Sequence, residues 1–151
     1  MELKKPQIKE EEINNLIVSA SLALEQSIKN SKSNAKYGAA VLSINKEIYK
    51  GFNIFSSSQT LSIHAEQCAI INAYINDDKT IKAIAVSSDD ESTEPIPCGI
   101  CRQLLFENAR YSGLDIVILT SFNGKLLGKY YLSELYPKPW PNREFKNIKN
   151  D

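Results

Sequence analysis

The 151-residue chain is 42% hydrophobic and 24% charged, ordinary values for one soluble globular domain with a single core. Its 18 lysines and arginines balance 18 aspartates and glutamates, which argues against a surface built to hold a long nucleic acid and suits a small or neutral substrate. The charged start MELKKPQIKEEE is unlike a signal peptide, the longest apolar runs are strand-sized, and two of the three cysteines form a Cys-x-x-Cys. A membrane span and a disulfide framework are therefore not expected, and a reducing cytoplasm is.

In chain order, the apolar positions Ile13, Leu16, Ile17, Ala20, Leu24 and Ile28 recur at helical spacing and predict an amphipathic helix over residues 8–29. The polar stretch from Ser31 to Asn34 breaks it. Residues 37–44 and 47–54, joined by Asn45-Lys46, read as a hairpin, followed by a loop of small hydroxyl residues, Ser56-Ser57-Ser58. Residues 64–75 read as a second helix with an apolar stripe of Cys68, Ile71 and Ile75, and residues 81–87 as a strand. The acidic run from Asp89 to Pro95 reads as a solvated surface loop. A third helix over 98–109 and a strand over 114–120 follow, then turn chemistry at Phe122-Asn123-Gly124-Lys125 and a strand or short helix up to Leu135. Pro137, Pro139 and Pro141 forbid regular structure beyond that. The alternation of helices with the later strands predicts a single α/β domain over 1–151, a sandwich around one mixed sheet.

His64-Ala65-Glu66 and Pro97-Cys98-Gly99-Ile100-Cys101 carry the chemistry. Cys98 and Cys101 are three residues apart, so on a helix both thiolates face the same way. Each motif opens a predicted helix, where unpaired backbone N–H groups favour thiolates. One imidazole and two thiolates leave a fourth position open for water, the pattern of a catalytic zinc site; structural sites close with four protein ligands. Coordination lowers the pKa of such a water to about 7. Glu66, two residues past His64, is too close to join the same coordination sphere comfortably, but it can reach that water and move its proton. Cys68, one turn after His64, offers an alternative: a four-ligand structural site with His64, Cys98 and Cys101. Its other reading is a small buried thiol. The pair H-x-E and P-C-x-x-C, in this order, is the signature of zinc deaminases.

From about Ser33 to Pro141 the chain resembles the cytidine deaminase family. The resemblance lies in the run from Ser33 to Ala40, in Gly51-Phe52-Asn53-Ile54, in His64-Ala65-Glu66-Gln67, in the run from Pro97 to Gln103, and in Leu135-Tyr136-Pro137 with Trp140. It implies a three-layer α/β/α sandwich around a mixed five-stranded sheet. It also implies zinc held by His64, Cys98 and Cys101, Glu66 as the catalytic proton carrier, and hydrolysis of the 4-amino group of a cytosine nucleoside. Ala65 N–H and Glu66 would read the pyrimidine edge, the Ile96 carbonyl would face the leaving amine, and Asn53 would bond the ribose. Without the resemblance, Asn53 could equally bond the turn backbone. Members with three cysteine ligands tend to carry an arginine after the glutamate; here His64 goes with uncharged Gln67, a consistent charge balance.

Two positions depart from the family pattern. Ala35 stands for a phenylalanine, and Phe55 for the ribose-binding glutamate; blasticidin S deaminases also carry an aromatic there. A non-standard cytosine nucleoside is thus a second candidate substrate, and a base editor of RNA or DNA a rival disfavoured by the zero net charge. The resemblance further implies a homo-oligomer, a tetramer before a dimer, with Trp140 as a lid or a subunit contact. Arg102 reads either as a surface residue or as a partner tempering the thiolates.

Overall fold

The computed structural model describes residues 2–30 and 34–141, apart from the side chain of Gln59. Helix α1 (Glu10–Asn30) carries Glu10, Glu11 and Glu12 in its first turn and Lys29 in its last, matching the helix dipole at both ends. Strands β1 (Tyr37–Ser43) and β2 (Ile48–Phe52) form the expected hairpin, with Lys46 at a positive φ of 70° in the turn. Then come α2 (Ala65–Ile75), β3 (Ile81–Ser88), α3 (Gly99–Ser112), β4 (Val117–Phe122), β5 (Lys125–Tyr131) and the short α4 (Leu132–Leu135). The segment before Leu135 is thus a strand followed by a helical turn. The β4 strand begins at Val117 and not at residue 114, because the backbone of Leu114 and Asp115 pairs instead with Lys4.

The five strands run in the order β2-β1-β3-β4-β5, with β3 and β4 parallel and every other neighbour antiparallel. Both faces of the sheet are covered, which is why the central strands read as continuous apolar runs. On one face α1 buries Ile13, Leu16, Ile17 and Ala20 against Ala40, Leu42, Ala83, Ala85, Val117 and Leu119. The opposite face, beneath α2 and α3, holds Ala39, Val41, Ile84, Val86, Ile116 and Ile118. The architecture is the three-layer α/β/α sandwich with a mixed five-stranded sheet.

Two glycines set how closely the helices approach. A Cβ on Gly38 would collide with the α1 backbone at Ala20 and Leu24; one on Gly51 would collide with the α2 backbone at Ala65 and Ala69.

Two expectations about the helices are corrected. Ile28 is 53% exposed, whereas its neighbour Ser27 is fully buried and takes the inward position, donating to Asn53. The stripe Cys68, Ile71, Ile75 is not the buried side of α2. That side is Ala65, Glu66, Ala69, Ile70 and Ala73, leaving Ile71 and Ile75 exposed and Cys68 half-buried. Of the polar break after α1, Ser31, Lys32 and Ser33 lie outside the described residues.

Candidate metal centre and active site

The topology brings the two motifs together. The β3–α3–β4 unit is a parallel crossover, so the loop leaving the carboxyl end of β3 delivers the N-terminus of α3 to that end of the sheet. Helix α2 runs directly into β3, so its N-terminus lies at the same end. Ligands of open α/β sheets bind at the carboxyl ends of the parallel strands.

His64 and Cys98 are the N-cap residues of α2 and α3, both with extended backbone. His64 Nδ1 lies 3.3 Å from Cys98 Sγ and 3.3 Å from Cys101 Sγ, and the three ligand atoms all fall within 4.8 Å of one another. A tetrahedral zinc with bonds of about 2.0–2.3 Å needs ligand atoms roughly 3.5–3.8 Å apart, so the group is slightly tighter than that and a parting of about 0.2–0.3 Å would seat the ion. Cys68 is not part of this group. Its Cβ instead lies where a side chain on Gly51 would go, against β2. The four-ligand structural site is therefore not formed.

Glu66 is 6% exposed, on the buried side of α2. Burial pushes its carboxyl pKa up, against the lowering pull of its own backbone N–H, of His64 and of a hydrogen bond with Cys101. Burial also pushes the Cys101 thiol up, and the neighbouring Glu66 and Cys98 add to that. The Cys101 thiol and the Glu66 carboxyl, packed this tightly, resist ionising together unless a cation joins them. A divalent metal supplies that charge and deprotonates thiols on binding. The chemistry of the donor set thus agrees with its geometry.

The remaining residues divide between this centre and the frame around it. Gln67 accepts the His64 N–H at 2.8 Å, closing the first turn of α2. Asn53 Oδ1 accepts from the Tyr37 N–H at 2.9 Å and the Ser27 hydroxyl at 2.6 Å, and its Nδ2 donates to the Ala35 carbonyl at 2.9 Å. The amide therefore ties β2 to β1 and α1, with one N–H left over. Ile96 lies between Pro95 and Pro97, its N–H bonded to the Glu94 carbonyl. Phe55 is 47% exposed and Trp140 is 76% exposed, its carbonyl accepting from Gln103 Nε2 at 2.6 Å.

Three contributions go beyond what the sequence shows. Arg102 is half-buried: its Nε donates to the Pro97 carbonyl at 2.6 Å and a terminal nitrogen donates to the Leu135 carbonyl at 3.0 Å, joining the metal loop to α4. Glu94 is not solvated like the acidic run around it, but bonds Tyr130 and Thr120. The Tyr37 phenol has its pKa raised, first by burial and then by Asp90, Glu66 and Asp89, which places it in the field of the same carboxylate.

The family model described as cytidine and deoxycytidylate deaminase zinc-binding region matches residues 11–112. The chain belongs to this family. A cytidine deaminase of Sporosarcina psychrophila is 37% identical over 90 residues, 59% of this chain and 63% of that protein. Another, from Halalkalibacterium halodurans, is 39% identical over 70 residues, 46% of this chain and 52% of that protein. The match thus spans roughly half to just under two thirds of the length of these relatives. Among solved structures, a cytidine deaminase from Burkholderia pseudomallei has the same fold, with a TM-score of 0.72 at 24% identity over 88% of this chain and all of that one. The family implies zinc as the cofactor, and the His64–Cys98–Cys101 group is able to bind it. Among the described residues, no helix is long and apolar enough to cross a membrane.

Proposed function

We propose that the chain hydrolyses the 4-amino group of a cytosine-type nucleoside to the 4-oxo product and ammonia. His64, Cys98 and Cys101 hold zinc, and Glu66 moves the protons. The observation that carries this reading is a buried carboxylate, Glu66, hydrogen-bonded to Cys101 of a group that, among the described residues, has three ligands and no fourth. Zinc, when bound, supplies a Lewis acid that acidifies a water in that position.

Glu66 accepts one proton from the attacking water and passes it to pyrimidine N3 as oxygen adds to C4. It then takes the second hydroxyl proton and hands it to the departing nitrogen, so that C4–N breaks and ammonia leaves. The first N–H groups of a helix have no partner within it, so Ala65 can donate to the pyrimidine edge. The prolines on either side of Ile96 hold the backbone extended, which suits its carbonyl to receive the leaving amine. The spare Asn53 N–H is available to a sugar hydroxyl, and Phe55 and Trp140 supply apolar surface.

The assembly proposed is a cytoplasmic homotetramer with Trp140 near an active site; a fully active monomer in sedimentation would rule this out. The function is tested by ammonia release from a panel of cytosine nucleosides, cytidine, deoxycytidine and blasticidin S among them. Protein carrying one zinc per chain that releases ammonia from none of them would overturn the reading.

A further inference from the structure

Glu94 lies four residues before Cys98, in the strap Glu94-Pro95-Ile96-Pro97 that leads into α3. Its carboxylate accepts hydrogen bonds from Thr120 Oγ1 on β4 and from the Tyr130 hydroxyl on β5, the latter at 3.0 Å and 3.2 Å to its two oxygens. Thr120 pairs with Gly128 across the β4–β5 ladder, and the register shifts immediately beyond, between Thr120 and Ser121. A Cβ on Gly128 would strike Glu94 Oε1 and come within 2.6 Å of the Tyr130 ring. The carboxylate therefore occupies the space left by the missing side chain of a strand glycine. A bulge beside it re-aims the strand, as bulges near functional sites do.

The other end of the strap is held independently. Pro97 O accepts from Arg102 Nε, and the two prolines fix φ on either side of Ile96. Between the two anchors lies the Ile96 carbonyl, and the ligand Cys98 follows directly after the second.

We propose that Glu94 is a positioning residue, tethering the Glu94–Pro97 strap to the β4–β5 edge so that Cys98 and the Ile96 carbonyl keep their places relative to His64 and Glu66. Gly128 is the receptor for this tether. The idea rests on the proposed function for its kinetic consequence only; its effect on the metal centre stands without it.

The test compares wild type with Glu94→Ala, Glu94→Gln, Tyr130→Phe and Gly128→Ala. Zinc affinity is read by chelator competition, ligand geometry by the absorption spectrum of the cobalt-substituted protein, and kcat and KM with cytidine. Groups that orient metal ligands from outside the coordination sphere typically contribute about 10–100-fold in affinity or activity. Glu94→Ala and Gly128→Ala are expected to weaken zinc about tenfold, alter the cobalt spectrum and lower kcat more than they raise KM. Glu94→Gln keeps an acceptor oxygen and should recover most of the loss; Tyr130→Phe removes one hydroxyl and should fall between. If Glu94→Ala fails to fold, Tyr130→Phe and Gly128→Ala carry the same readouts. Variants that melt earlier yet keep wild-type zinc affinity and cobalt spectrum would make Glu94 merely structural and overturn the proposal. A wild type without turnover would sink the deaminase reading instead, while zinc affinity and the cobalt spectrum would still decide this one.

Discussion

Gly51→Ala should damage the metal centre while leaving its ligands in the sequence untouched. The added Cβ would sit 2.6 Å from Cys68 Cβ and 2.7 Å from the Ala65 carbonyl oxygen, and closer still to the Ala69 backbone nitrogen. Ordinary carbon contacts are about 3.5–4.0 Å, so α2 must retreat by about 1 Å. Overpacking of this kind costs about 1–3 kcal/mol, and in a chain of this size each kcal/mol lowers Tm by roughly 2–4 °C. The displaced turn is the one that carries His64 and Glu66, whereas Cys98 and Cys101 belong to α3. The 3.3 Å spacings between His64 and the thiols must therefore stretch. A misplacement near 1 Å can cost about 10²-fold in rate. Gly38→Ala is the control, since its Cβ meets α1, which carries no metal ligand. Both variants should melt earlier, but only Gly51→Ala should lose zinc affinity and kcat/KM when assayed well below its Tm. Wild-type zinc affinity in Gly51→Ala, or an equal loss in Gly38→Ala, would refute the idea that β2 sets the position of the α2 N-terminus.

Four further outcomes are expected. Glu66→Gln should keep one zinc per chain by elemental analysis while turnover falls by about 10²–10⁴-fold; a near-normal rate would remove Glu66 from the mechanism. Cys68→Ser should retain zinc and its X-ray absorption signature, since Cys68 packs on Gly51 outside the ligand group. Phe55 offers a sugar hydroxyl no strong acceptor, so wild type should tolerate 3′-deoxycytidine and Phe55→Glu should restore selectivity for cytidine; strong rejection of the 3′-deoxy compound by wild type would show that another residue does this work. At the start of the central strand β3, burial works to raise the Glu12 carboxyl, but its 2.8 Å bonds to Lys82 and the Lys9 N–H outweigh it and hold the pKa below the usual carboxylate range. The stabilisation is thus complete above the unfolded carboxylate range and lost as pH falls through the lower folded value. Lys82→Ala should flatten that acid limb by about 0.2–1 kcal/mol in urea melts.

The parts legible in the sequence are those whose information is local. Cys98 and Cys101 share a face because of their spacing, and His64 precedes Glu66 by the offset that parts ligand from proton carrier. The face of α2 was not legible, because alanine and isoleucine surround that helix; burial is decided by Gly51, which admits Ala65 and Ala69 and turns Ile71 and Ile75 outward. Glu94 and Arg102 were hidden for a different reason. The partners of Glu94 are 26 and 36 residues away, on two strands, β4 and β5, whose pairing shifts register beside the contact. Those of Arg102 are backbone carbonyls, which leave no mark on composition.

The same distinction explains how a loop can hold a ligand steady. Cys98 is preceded by irregular backbone, and a freely moving residue costs about 1–2 kcal/mol to fix each time the site must form. Pro95 and Pro97 remove much of that freedom in the unfolded chain as well as the folded one. Glu94 then fixes one end of the strap to β4 and β5, and Arg102 fixes the other to α4. Helix α2 needs no such tethers, because Gly51 lets it lie directly on the sheet. His64 is placed by close packing, Cys98 by a braced strap, and Cys101 by the helix α3 that Cys98 caps. Perturbing β2 should therefore move His64, and perturbing the β4–β5 edge should move Cys98; the shared metal would register both.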